Sequence, residues 1–187
     1  MKSPSYQDLS KFVVPEGFRG KSVFIVQLWW IVEGVFVHLS PQFMYEWRNF
    51  IYRLFGAKIG RGVKIRPNVT VTYPWNLEIG NYVWVGEKST LYNLGKIIIG
   101  NHVAIAHGVY LCTGMHDYSK KDFPIYAKDI CIQDEVWLTN DVFVAPGVTI
   151  GAGSVVGARS TVLEDLPGGM ICYGSPAKPV KKREITG

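Results

Sequence analysis

The sequence predicts a mainly β fold: a left-handed parallel β-helix, with a helical segment before it and a short extension after it. Three observations predict this. An aliphatic residue recurs every six positions, glycine often follows it directly, and a second, valine-rich position lies four residues further on.

The repeat runs through Ile59, Ile65 and Val71, slips by two residues to Ile79, Val85 and Leu91, and slips again to Ile99, Ile105 and Leu111. After an interruption it resumes at Ile132, Leu138, Val144, Ile150, Val156 and Val162. An α-helix would space its apolar residues near 3.6 and an amphipathic strand would alternate at 2, so neither fits six-residue punctuation. A prism of short parallel strands does. Each unit lays down one strand and one corner, three units close a triangular coil, and the aliphatic residue points inward and stacks on its equivalents. Glycine, asparagine and aspartate are assigned to corners, where backbone of positive φ is expected. The slips, near Tyr73 to Leu77 and Asn93 to Ile97, are expected as small corner bulges. The competing folds are a right-handed parallel β-helix and an ordinary sandwich.

Three regions follow: residues 1–56, helical; residues 57–168, the β-helix; and residues 169–187, the extension. Within the β-helix the repeat stops between Cys112 and Cys131. So regular a prism has no packing reason to admit this inserted loop, 112–131, and long loops in compact domains commonly carry function.

In the N-terminal region, Ser22 to Leu39 is almost wholly apolar, Ser40 and Pro41 form a stop, and Gln42 to Phe55 restarts a helix. The first stretch is short for a membrane span and contains Gln27 and Glu33. Trp29, Trp30 and Phe36, with Lys11, Arg19 and Lys21 before and Arg48, Arg53 and Lys58 after, suit a helix lying in a membrane interface. The same segment suits a lid on the open end of the prism or a contact with a neighbouring subunit. Both readings stand on sequence alone.

At 187 residues the chain fits one domain. Cys112, Cys131 and Cys172 match neither a disulfide framework nor a close-paired zinc pattern, and Met1 to Pro15 lacks the order of a signal peptide. A cytoplasmic setting is expected. The net charge of +5 is spread along the chain without aromatics interleaved among basic residues, which argues against nucleic acid and for anionic small molecules or a membrane surface.

Several segments are more specific than the hexads: Gln7 to Lys11, Gly17 to Gly20, Gln27 to Trp30, Leu54 to Gly60, Thr72 to Trp75, Leu111 to Tyr118 and Pro146 to Gly151. Through them the chain resembles the hexapeptide-repeat acyltransferases, in particular the colanic acid biosynthesis acetyltransferase type, and more distantly galactoside and maltose acetyltransferases. The resemblance implies an acetyl-CoA-dependent O-acetyltransferase acting on a sugar hydroxyl in bacterial exopolysaccharide biosynthesis, with His116 as general base. The chemistry agrees: a hydroxyl is a poor nucleophile at neutral pH, while imidazole titrates near it. Asp117 either orients that imidazole or serves the turn.

By the same resemblance, the backbone N–H of Asn140 stabilises the oxyanion. Thr139 stands where relatives commonly have glycine, and Trp137 flanks the pocket or packs structurally. Acetyl-CoA, the co-substrate, would lie in a groove between two prisms of a homotrimer, passing the small Ala158, with Lys178 and Lys181 as point charges for its phosphates. Without the resemblance, Lys178 to Arg183 would be an ordinary solvated tail. No metal is implied. The acceptor would be a saccharide, lipid-linked at the inner face of the cytoplasmic membrane if the N-terminal segment touches lipid.

Two other functions use the same features. A metalloenzyme of the γ-carbonic anhydrase type would take zinc on His102, His107 and His116, and a non-enzymatic scaffold would use the apolar N-terminus for recruitment. The inserted loop and the terminal Gly174 to Lys178 turn favour the transferase.

Overall fold

The computed structural model describes residues 5–186. Its core is the expected prism, a parallel β-helix of three faces. The first face stacks Lys58–Ile59, Leu77–Ile79, Ile97–Ile99, Ile130–Ile132 and Thr149–Ile150. The third stacks Thr70–Val71, Thr90–Tyr92, Tyr110–Cys112, Phe143–Val144 and Thr161–Val162. Between them the second face stacks Lys64–Ile65, Trp84–Val85, Ala104–Ile105, Trp137–Leu138 and Val155–Val156. It then takes in Met170–Gly174, and Ala177–Lys182 folds back antiparallel on that strand. The C-terminal extension therefore closes the prism rather than hanging from it: Cys172 and Ala177 are buried in the same core.

The register pairs Ile59 with Ile79, Ile79 with Ile99, Ile99 with Ile132 and Ile132 with Ile150. Both slips and the insertion thus fall at one corner, between the third and first faces. The first slip is a 3-10 turn, Pro74–Asn76. At the second, Asn93 replaces a turn of ladder by accepting from Tyr73 N at 2.8 Å and donating to Tyr73 O at 2.6 Å. Apart from the partly buried Ile59, the aliphatic positions are buried, and the position four residues on is a buried valine or serine in most hexads, as with Ile79 and Val83 or Val85 and Ser89.

The corners differ from expectation in detail. Positive φ falls three residues after the aliphatic position, at Gly62, Gly108 and Gly153 but also at Tyr82, His102, Glu135 and Asp141. Asp141 follows the prediction; Asn81, Asn101 and Asp134 do not. Their side chains instead form a ladder between coils, in which Asn81 N donates to Asn101 Oδ1 (2.9 Å) and Asn101 N to Asp134 Oδ1 (2.7 Å). The glycine directly after the aliphatic residue is present for close approach: a Cβ on Gly80 would sit 2.7 Å from Gly100 O.

The N-terminal segment forms helix α1 (Val23–Val32), which widens into a π-helical turn (Glu33–Val37), and helix α2 (Tyr45–Leu54). Together they cover the first coil, whose outer edge would otherwise expose unpaired backbone groups. Side chains satisfy those groups one by one. Arg53, Asn49, Arg48, His38 and Trp29 donate to the carbonyls of Ile59, Val63, Ile65, Val69 and Val71. Glu33 Oε1 accepts from Val71 N at 2.7 Å. Both helices thus lie on the first coil, and Glu33, which looked like a polar interruption of an apolar helix, faces the prism. No helix among the described residues is long and apolar enough to cross a membrane.

Candidate active site

The inserted loop is a β-hairpin, Gly114–His116 paired with Ile125–Ala127. It presents His116, half-buried, at its outer end. The imidazole stacks on Phe123 (centroids 4.3 Å apart, planes at 7°) and meets Phe12 at 5.4 Å on its other side. His116 Nδ1 lies 2.8 Å from the Phe123 carbonyl oxygen. A carbonyl only accepts, so Nδ1 carries the proton and Nε2 keeps a free lone pair, the form a general base requires. Phe123 holds this position with φ of 49°, a costly conformation for a large side chain, and the stacked ring helps to fix it.

Asp117 is not the orienting group. Its carboxylate accepts from Ser119 N (3.0 Å) and from Ser119 Oγ, and these bonds hold it below the usual carboxylate range, with Lys120 adding a smaller Coulombic contribution. It serves the turn. A second tie comes from the N-terminus: Asp8 N donates to Lys121 O at 2.7 Å, so the segment carrying Phe12 is pinned along the hairpin. Nothing in the sequence signalled Phe12 or the Phe123 carbonyl, because both act through contacts between distant parts of the chain or through backbone.

The remaining predicted residues gather elsewhere, on the second face and its far corner. Trp137 projects outward, about half exposed, beside an open cavity of about 510 Å³ lined also by Trp84, Lys64, Arg66, Ala104 and His107. Thr139, in place of the family's glycine, leaves the strand regular: its backbone N–H and its hydroxyl both donate to Val156 O, the hydroxyl at 2.7 Å. The pairing of Leu138 with Val156 sets Asn140 level with Ala158. Two coils earlier the equivalent N–H, that of Glu87, donates to a side chain of the next coil, His107 Nδ1, at 3.1 Å, whereas the N–H of His107, like that of Asn140, meets no side chain among the described residues. Ala158 has no acceptor to offer. Among the described residues nothing accepts from Asn140 N–H, which stays free on an exposed corner.

Lys178 and Lys181 lie on the outermost strand, opposite Tyr173 and Ile171, and Lys178 Nζ is engaged by Glu164 Oε2 at 2.9 Å. His116 belongs to the corner between the third and first faces, whereas Asn140 and Ala158 belong to the corner between the second and third. One chain does not bring them together. The three histidines of the metalloenzyme reading have separate partners: His102 stacks on Tyr82, His107 accepts from Glu87 N, and His116 bonds the Phe123 carbonyl.

A hexapeptide-repeat acetyltransferase from Vibrio cholerae, crystallised with acetyl coenzyme A, superposes with a TM-score of 0.79 at 24% identity, over 89% of this chain and 92% of that one. At that identity it shows the fold. No family model matches the chain. The Escherichia coli K12 protein named "Putative colanic acid biosynthesis acetyltransferase WcaF" is 54% identical over 180 residues, 96% of this chain and 99% of the relative. The chain belongs to the hexapeptide-repeat acetyltransferases. Another member, a galactoside acetyltransferase solved in complex with coenzyme A, matches with a TM-score of 0.79 at 26% identity, covering 91% of this chain and 84% of that one. Within this acetyltransferase family, the structural elements that depart from a bare prism here are the hairpin, the N-terminal lid and the terminal strand pair.

Proposed function

We propose that this acetyltransferase transfers the acetyl group of acetyl-CoA to a saccharide hydroxyl, with His116 as general base. The observation that carries the reading is the bond from His116 Nδ1 to the Phe123 carbonyl, which leaves Nε2 as the acceptor. Nε2 takes the hydroxyl proton as the oxygen attacks the thioester carbonyl. The C–S bond then breaks, and the imidazolium returns the proton to the departing CoA thiolate. No covalent enzyme intermediate and no metal enter these steps.

The free N–H of Asn140 suits the oxyanion, since a donor with no other partner needs no reorganisation as charge develops. It lies at a different corner from His116, so the complete site requires a second copy, which fits a homotrimer with the donor in the groove between prisms. Trp137, Thr139 and Ala158 would line the pantetheine path, with Lys178 and Lys181 near the phosphates. The relative named for colanic acid biosynthesis supports an acceptor in exopolysaccharide assembly, which on this proposal is a lipid-linked saccharide at the inner face of the cytoplasmic membrane.

The test is acetyl-CoA binding by calorimetry and turnover on saccharide acceptors, for wild type and His116→Ala. Both proteins should bind the donor, and the substitution should lower turnover by about 10²–10⁴. A folded wild type that does not bind acetyl-CoA, or a variant that turns over normally, overturns the reading.

A further inference from the structure

The lid has two faces, and only one is explained by the prism. Inward, Trp29, Glu33 and Val37 of the first helix and Arg48, Asn49, Ile51 and Tyr52 of the second are buried against the first coil, and Val26 packs with Tyr73 and Leu94 beside the hairpin. Outward, Phe24, Ile31, Leu39, Phe43, Phe50 and Leu54 are 55–79% exposed. Apart from Gln27, every residue of α1 is apolar, so the helix is apolar on the solvent side as well. A helix apolar all round is normally covered on all sides. Here the far side has no cover from the described residues.

Charge indicates what covers it. Lys21 is exposed, Arg19 is partly exposed, and Arg53 is exposed although it donates to the Ile59 and Gly60 carbonyls; against these three cations stand the exposed Glu16 and Glu46, while Glu33 and Arg48 are turned inward. A large apolar and aromatic surface with a cationic margin is the pattern of an element lying in the headgroup region of an anionic bilayer. A second copy is the weaker occupant. The split between His116 and Asn140 calls for copies side by side through the sides of their prisms, and that arrangement leaves every lid facing the same way, uncovered.

We propose that the outer face of the lid docks on an anionic lipid surface with the prism axis along the membrane normal, holding His116 at a fixed height and selecting oligosaccharide acceptors. The hairpin leaves the prism between the strands Tyr110–Cys112 and Ile130–Ile132, two to three coils beyond the first. At about 4.8 Å per coil, plus a helix layer of about 10 Å, His116 stands on the order of 25 Å above the lipid contact. A sugar attached directly to a lipid phosphate stays below that height, and the distal units of a longer lipid-linked glycan reach it. The docking stands on the lid alone; the acceptor length also rests on the acetyltransfer reading.

Sedimentation of the full-length protein with phosphatidylglycerol-containing vesicles and with pure phosphatidylcholine vesicles tests the docking. Phe24→Ser, Leu39→Ser and Phe43→Ser combined provide the variant, and light scattering gives the mass of each protein. Wild type should sediment with the anionic vesicles, more weakly at high salt, and the triple variant should lose at least about tenfold in partitioning while keeping its mass and its turnover on a soluble acceptor. Wild type left in the supernatant, a variant that sediments equally, or a variant of reduced mass overturns the docking, the last by showing that the face joins copies. Lipid-linked monosaccharide and lipid-linked oligosaccharide, offered on the same vesicles, test the height. Acetylation of the longer alone is expected, and equal acetylation of both overturns it. If neither is acetylated while sedimentation persists, the acetyltransfer reading has failed and not the docking.

Discussion

The two ends of the prism solve the same problem with opposite chemistry. At the last coil, backbone pairs with backbone: Met170–Gly174 adds to the second face, Ala177–Lys182 adds to it in turn, and the outermost strand presents lysines to solvent. At the first coil the exposed carbonyls are satisfied by side chains of the lid, and the surface turned outward is apolar. A solenoid needs both ends stopped. Stopping one with strands and the other with helices makes the two ends of the molecule chemically different, with the larger exposed apolar surface at the helical end.

The largest effect is expected where the lid depends on one buried cation. Arg48 is fully buried and donates to Ile65 O (2.8 Å), Pro41 O (2.8 Å), Gln42 O (2.6 Å) and Ser40 Oγ (2.8 Å). Arg48→Ala leaves the buried Ile65 carbonyl and the part-buried Pro41 and Gln42 carbonyls without this donor and opens a cavity, so a loss of about 4 kcal/mol is expected from urea unfolding. Arg48→Lys should not restore it, because an ammonium cannot reach four acceptors in the planar fork of a guanidinium. At the strand-capped end no single side chain has this weight, and a comparable loss from any substitution there would break the contrast.

Glu33 gives the lid a pH dependence. Burial pushes its carboxyl up from 4.5 to about 7, with the Val71 N–H opposing the rise. The folded protein therefore holds a proton that the unfolded chain has released between these values. The associated stability is complete below pH 4.5 and is lost as pH rises through about 7. On the order of 3 kcal/mol is at stake. Urea midpoints of wild type relative to Glu33→Gln should fall from pH 5 to pH 8, and a difference that stays flat would mean that the carboxylate is compensated in the folded state.

The same contrast governs what the sequence made legible. The hexads were readable because each coil repeats the same packing requirement, so Ile59, Ile79 and Ile99 announce their own stacking. The corners were readable only in outline. Positive φ at Tyr82 and His102 is imposed by coil closure and overrides the preference that pointed to Asn81 and Asn101. The lid was legible as helical and as a candidate cap, but the bonds that seat it were not: Trp29 meets Val71, and Arg48 meets Ile65, through acceptors that belong to the backbone and leave no trace in side-chain pattern. The site divides likewise. His116 and Ala158 were reached through the family resemblance, whereas Phe12 and the Phe123 carbonyl depend on how the N-terminus runs along the hairpin.

The smallest effect concerns the strand-capped end and sharpens its proposed contact with the donor. Lys178 is held by Glu164 at 2.9 Å, with both side chains more than half exposed (58% and 76%), a pair worth no more than about 1 kcal/mol. Lys178→Ala should therefore leave the unfolding midpoint nearly unchanged. If Lys178 also receives a CoA phosphate, Glu164 competes for it, and Glu164→Gln should tighten acetyl-CoA binding by no more than about fivefold at low salt. Calorimetry at two salt concentrations separates the outcomes: tightening that disappears with salt assigns Lys178 to the donor, and an unchanged affinity leaves the lysine as part of the polar surface that stops this end of the prism.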